Sequence, residues 1–133
     1  MTVRDYRVPA ELQASLAGRL EHLQGRPGLP QTAAGATIAA SLPYVWACSK
    51  FVADACRRDA GLLDWLATSG ALHEDLVLDA YAAAAAEATR AGTQDDPGFM
   101  AALRRFRRRQ LVRIAWRDLA GLAPIEQVLL ELS

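Results

Sequence analysis

Apolar residues recur along this chain at intervals of three and four, and no stretch alternates in the two-residue rhythm of a half-buried strand. Leu12, Leu16, Leu20 and Leu23 follow Pro9 at helical spacing and stop at the breaker Gly25-Arg26-Pro27-Gly28-Leu29-Pro30. The small, apolar stretch from Gln31 to Ala40 fits either a short helix or a loop. Ser41 reads as an N-cap with Pro43 in the first turn of a helix carrying Val45, Trp46, Phe51, Val52 and Ala55. Arg57 and Arg58 suit the C-terminus of that helix. Asp59 then caps a short helix with Leu62, Leu63, Trp65 and Leu66, closed by Gly70.

A long helix is expected from about Glu74 to Ala91, with Glu74 and Asp75 in its first turn and Gly92 at its end. Its Ala82–Ala86 run has no bulky side chain, so another helix can approach closely. Asp95-Asp96-Pro97 marks the start of a helix over 97–119, which Gly121 stops. Pro124 opens the last helix, Ile125 to Leu132, with Val128, Leu129 and Leu132 as its apolar stripe. The pattern defines an all-α fold, a bundle of about five to six helices. Residues 1–133 are expected to form a single helical domain.

Composition narrows the function. Hydrophobic residues make up 52% of the 133-residue chain and charged residues 23%, enough to bury a core. There are 27 Ala, and 14 of the 15 basic residues are Arg, with Lys50 the only Lys; both biases favour helix. The 15 acids cancel the 15 basic residues, which excludes a globally basic nucleic-acid binder but leaves room for a local basic patch. No apolar run approaches the roughly 18 to 20 residues of a membrane helix. The N-terminal residues lack an apolar signal core, so a cytoplasmic location is expected. Cys48 and Cys56 on one helix would stand about 12 Å apart, too far for a disulfide, and read as small core thiols.

Half of the arginines fall in the helix over 97–119: Arg104, Arg105, Arg107, Arg108, Arg109, Arg113 and Arg117. On a helical wheel Phe99, Leu103, Phe106, Gln110 and Ile114 cluster within about 60° and are taken as the face toward the core. Arg107 and Arg117 flank that face. Val112 and Trp116 lie on the opposite side beside Arg105 and Arg109. A helix with two apolar surfaces fits between two layers, or between one layer and a partner. Arginines at such borders bury their stems and pair with carboxylates. Nine acids between Asp54 and Asp96 are available for this. Arginines spread around a helix argue against nucleic acid, which needs a one-sided basic face.

Catalytic chemistry is not evident. His22 and His73 have no Ser, Cys or carboxylate constellation beside them and read as ordinary surface or helix-end residues. Asp75 and Asp79, four apart, are too little for a metal site. No glycine-rich loop joins a strand to a helix, so no nucleotide cradle can be drawn. No catalytic, cofactor-binding or metal-binding residue is assigned.

Leu103-Arg104-Arg105-Phe106-Arg107, followed by Arg113-Ile114-Ala115-Trp116-Arg117-Asp118-Leu119, resembles the bacterial glutamine synthetase adenylyltransferase/adenylyl-removing family. That family has a Leu-Arg-Arg-x stretch ending in Arg or Lys, then Arg-Ile-Ala-x-Arg-Asp-Leu. Leu42-Pro43-Tyr44-Val45-Trp46, Ser49-Lys50-Phe51-Val52 and Gly61-Leu62-Leu63 also look like its opening helices. The likeness covers roughly residues 40 to 133, about two-thirds of the chain. Gln110 departs from the pattern, which places Glu there. Gln keeps the hydrogen bond and gives up the charge that would pair with nearby arginines.

The resemblance implies enzymes with two nucleotidyltransferase domains that attach AMP to glutamine synthetase and remove it. Their Gly-Ser turn and Asp-x-Asp pair, which hold ATP and magnesium, have no counterpart in these 133 residues, so no cofactor is assigned to this chain. The chain is therefore expected to be a helical N-terminal part of the adenylyl-removing half. Its expected partners are the adjoining catalytic domain and glutamine synthetase. Arg107, Trp116, Arg117 and Asp118 are the candidate contact residues. The alternatives are a stand-alone helical interaction module, dimeric through Val112 and Trp116, and a nucleic-acid-binding helix bundle.

Overall fold

A computed structural model describes residues 6–23, 28–74, 78–88 and 97–132. Seven α-helices lie among them: α1 (Gln13–Leu20), α2 (Ala33–Cys48), α3 (Lys50–Arg58), α4 (Leu62–Thr68), α5 (Leu78–Ala88), α6 (Pro97–Leu119) and α7 (Ile125–Leu132). Short 3-10 turns flank α1, and a third, Ala71–His73, follows α4. The described residues contain no strand, as the periodicity predicts. None of the helices is long and apolar enough to cross a membrane.

The largest departure from the sequence pattern is α2. Ser41 is not its N-cap. The helix begins eight residues earlier, where the Thr32 hydroxyl accepts from the Gly35 amide at 2.9 Å and donates to the Ala67 carbonyl at 2.9 Å. One side chain thus starts α2 and ties it to the end of α4. Gly35 is needed here, because a Cβ would collide with the Pro30 carbonyl. Pro43 sits inside α2 and removes one amide donor; the carbonyl this leaves belongs to Ala39, which is exposed to solvent.

The helix expected to continue to Arg58 is broken at Ser49, which raises the helix count to seven. Ser49 is extended (φ −134°, ψ 103°). Its amide closes α2 on Val45, and its hydroxyl opens α3 by accepting from the Val52 amide at 3.2 Å. The break separates the two cysteines. Cys56 is buried, whereas Cys48, expected in the core, is exposed, and the two form no disulfide. The C-terminus of α2 is held from outside by Arg19 of α1, whose Nη1 donates to the carbonyls of Trp46 (2.5 Å) and Ala47 (3.2 Å).

Asp59 does not cap α4 as expected: the N-cap is Gly61, which has no side chain to supply a cap bond, and Asp59 instead closes α3 and accepts from the Gly61 amide at 3.3 Å in the turn between the helices. Gly70 adopts φ 78° and turns the chain after α4. Glu74 is extended rather than helical (φ −112°, ψ 137°), which corrects its placement in a first helical turn. Asp75, Gly92, Asp95 and Asp96, and the breaker residues Gly25 to Pro27, lie outside the described residues.

The helix over 97–119 runs as the sequence predicts. Its end is a Schellman-type turn: Gly121 adopts φ 73°, and the Leu122 amide reaches back to the Arg117 carbonyl at 2.8 Å. Its core-facing side is the reverse of the expected one. Val112, Trp116 and Ala120 enter the main core, with Ile38, Leu42, Val45 and Trp46 of α2, Val52 and Cys56 of α3, and Leu62 and Leu66 of α4. The Phe106, Gln110 and Ile114 side is also buried but lies outside that cluster. Two buried surfaces on one helix match the two-layer reading.

Trp116 is the element that orients α6. Its ring has no solvent exposure, and its indole Nε1 donates to the Ser41 hydroxyl at 2.9 Å. Ser41 in turn donates to the Thr37 carbonyl one turn back in α2, at 2.7 Å. A buried indole N–H without an acceptor is costly, so this bond favours the seating of α6 on α2. Tyr6 adds a second tie, donating to the Ala120 carbonyl at 2.9 Å. Ser41→Ala is expected to lower unfolding stability by roughly 1–3 kcal/mol, measured by chemical denaturation. A loss within a few tenths of a kcal/mol would show that the indole is satisfied elsewhere.

Candidate functional site

The seven arginines of α6 separate into three groups by depth. Arg113 and Arg117 are buried, Arg109 lies at the border, and Arg104, Arg105, Arg107 and Arg108 lie at or near the surface. A buried guanidinium cannot shed its proton, so burying it is costly unless carboxylates or other acceptors compensate its charge.

Arg113 is fully buried, and each of its three guanidinium nitrogens has an acceptor. Its Nε donates to the Gln110 side-chain oxygen at 2.9 Å, its Nη1 to the Glu74 carbonyl at 3.0 Å, and its Nη2 to Glu131 Oε1. Arg117 Nη1 donates to the other Glu131 oxygen at 3.1 Å. One carboxylate on α7 therefore spans two arginines one turn apart on α6. Gln110 answers the question raised by its departure from the family pattern. It keeps the hydrogen bond to Arg113, and Glu131 supplies the charge.

This lock decides how α7 lies. The helix docks through Val128 and Glu131, which are one turn apart on its inner side. Leu129 and Leu132, expected on the core stripe with Val128, point outward instead. With Ile125 and Leu130 they are between 54% and 66% exposed. A charged residue turned inward and four large apolar residues turned outward reverse the usual polarity of a surface helix.

Arg109 makes the second lock. Its Nε and Nη2 hold the two oxygens of Asp59 at 2.7 and 2.9 Å, in fork geometry, and its guanidinium lies 5.8 Å from the centre of the Trp65 ring. The Arg109 hydrogen bonds hold the Asp59 carboxyl below its usual 3.8, against the opposing effect of burial, and the Arg109 charge, the Gly61 amide and Arg105 add to this. Of the nine acids expected to serve the arginines, Asp59 does so in fork geometry. Glu74 contributes its backbone carbonyl, and Glu131 comes from outside that stretch.

The four candidate contact residues are divided by this arrangement. Trp116 and Arg117 are buried within the chain, so Trp116 is not a surface contact here, and a dimer through Val112 and Trp116 is overturned by their burial against α2. Arg107 and Asp118 are exposed on α6. Glu131 carries no role in the sequence pattern, and Ser41 and Asp59, read there as helix caps, instead serve Trp116 and Arg109. Glu131 carried one signal: a lone acid spaced three residues after Val128 in an otherwise apolar turn. Among the described residues no cluster of three acids, histidines or cysteines could hold a metal ion.

Comparison with known proteins bears on what this helical unit is. The model of the glutamate-ammonia ligase adenylyltransferase family matches residues 39–133, and the chain belongs to that family. It is 38% identical over 133 residues to a bifunctional glutamine synthetase adenylyltransferase/adenylyl-removing enzyme of Nitrosococcus oceani, covering 96% of this chain and 13% of that protein. Proteins of the same description from Thioalkalivibrio sulfidiphilus and Methylococcus capsulatus are 38% and 34% identical over 93 residues, 70% of this chain and 10% of each relative. The chain thus spans a small fraction of the length of the relatives it matches. No solved structure matches it.

Two predictions follow from the locks. Glu131→Ala leaves Arg113 and Arg117 without their carboxylate and is expected to cost about 3–5 kcal/mol of unfolding free energy, whereas Glu126→Ala, on the exposed side of α7, is expected to be nearly neutral. Equal effects would remove Glu131 from its structural role. For Asp59 the folded pKa lies below the unfolded one. Its contribution is complete above the unfolded value and is lost as pH falls from about 4 toward the folded value. Asp59→Asn is expected to lower stability at pH 7 and to flatten the acid limb of a stability–pH profile; an unchanged acid limb would contradict the assignment.

Proposed function

We propose that this chain is the helical positioning part of an enzyme that adenylylates and deadenylylates glutamine synthetase, and that the outward apolar face of α7 is where the catalytic part packs. Family membership supports the activity. The observation that carries the packing role is the reversed polarity of α7, which Glu131 holds in place. Ile125, Leu129, Leu130 and Leu132 present an apolar surface of the kind that marks a protein interface. Arg107 and Asp118 on α6 are the proposed polar contacts. A reducing cytoplasmic setting suits two cysteines that form no disulfide.

The chain itself is assigned no catalytic residue. ATP and magnesium belong, on this reading, to the nucleotidyltransferase domains of the family.

A chimaera tests the proposal. The 133 residues replace the matching region of the Nitrosococcus oceani relative, and both activities are assayed on glutamine synthetase. The chimaera is expected to retain activity. The double substitution Leu129→Asp and Leu132→Asp is expected to reduce it about tenfold or more, the consequence of placing charge in an apolar interface. Unfolding of the separate 133-residue chain is expected to be unchanged by the same substitutions. A doubly substituted chimaera as active as the parent chimaera would overturn the packing role.

A further inference from the structure

The side of α6 that enters the core at Val112 and Trp116 leaves it toward the helix N-terminus. Past Arg109 it opens into a cleft of about 510 Å³ between α6, the end of α3 and the Ala60–Gly61 turn. Arg104, Arg105 and Arg108 line it from α6, and Arg58 lines it from α3. Among the described residues Asp59 is the only carboxylate in the lining, and Arg109 holds both its oxygens. Among the described residues no carboxylate stands within salt-bridge distance of Arg58, Arg104, Arg105 or Arg108.

This concentration of charge is local, because the whole chain is neutral. It also works against the helix: Arg104 with Arg108, and Arg105 with Arg109, are like charges four residues apart. The sequence suggested arginines all around α6, which argues against an anion site. The structure removes that objection. Arg113 and Arg117 are consumed by Glu131, Arg109 is consumed by Asp59, and Arg104, Arg105 and Arg108 join Arg58 in one concavity. The Arg109–Asp59 fork also fixes the floor, since it ties the end of α3 to α6.

We propose that this cleft binds a small molecule bearing two or more linked phosphate groups, held by Arg58, Arg104, Arg105 and Arg108. Planar guanidinium forks match phosphate oxygens in pairs, and several forks around one hollow match linked phosphates better than a single anion. The volume lies in the range of small-molecule sites. An extended nucleic-acid track would need basic residues running beyond the hollow, and a neutral chain does not favour one. The site goes beyond the packing role proposed for α7 and does not depend on it.

Titration calorimetry of the 133-residue chain with inorganic tripolyphosphate tests this. Binding is expected, weakening as salt rises, and each of Arg104→Ala and Arg108→Ala is expected to weaken it about tenfold, the loss of one charge-assisted contact. Arg57→Ala, on α3 but outside the cleft, is expected to bind as the parent does. Thermal unfolding of each variant confirms that it remains folded. A nucleoside triphosphate that binds more tightly than tripolyphosphate assigns the phosphates to a nucleotide; equal affinity assigns them to a free polyphosphate chain. Absence of tripolyphosphate binding at millimolar concentration would overturn the proposal. So would equal binding by parent, Arg104→Ala and Arg108→Ala, or binding confined to an RNA oligonucleotide.

Discussion

A fully buried arginine governs this molecule. Arg113 carries a permanent charge into the interior, and its desolvation would cost several kcal/mol if that charge had no partner. The structure meets that demand with three acceptors from three places: Gln110 one turn earlier on α6, the Glu74 carbonyl and Glu131 of α7. The rest of the C-terminal half follows. Because Glu131 must face inward, α7 can lie only one way, and its leucines must face outward. The Glu74 carbonyl reaches Arg113 from the end of the 3-10 turn that follows α4, where Glu74 itself is extended.

The same helix solves a second problem at its other side. Trp116 is too large to leave exposed and carries a donor that needs an acceptor. Ser41, in the middle of α2, provides it. The main core therefore forms between α2, α3, α4 and the Trp116 side of α6, and the charged lock forms on the far side. Placing α6 between an apolar layer and an ionic one accounts for its low amphipathicity: neither side is simply wet. The arginines that remain outside collect beside Asp59 and Arg58 rather than dispersing.

Much of the fold was legible in the sequence, because the strong signals are local. Pro97 and Gly121 bracket α6 through a fixed φ and a left-handed φ, and both bounds follow from single residues. The family likeness in Arg113–Leu119 was legible for the same reason. What escaped depends on distant partners. Ser41 resembles an N-cap by type, but its hydroxyl serves an indole 75 residues away. Thr32 and Gly35 together begin α2, yet the need for glycine comes from the approach of Pro30, which no periodicity reveals. The orientation of α7 was misread because Val128, Leu129 and Leu132 form a plausible stripe; only the pairing of Glu131 with two buried arginines rotates it. Of the candidate contact residues, the exposure of Arg107 and Asp118 and the burial of Trp116 and Arg117 depend on which side of α6 meets the core.

The central claim is that α7 is held to α6 through Glu131 and is not an independently docked apolar helix. Amide hydrogen exchange across the 133-residue chain tests this most directly. The account predicts that α7 amides and those of Val112–Arg117 are protected to a similar degree, and that Glu131→Gln speeds exchange in α7 and in the last two turns of α6 together. Exchange in α7 that is fast in the parent chain, or that is unchanged by Glu131→Gln, would contradict it.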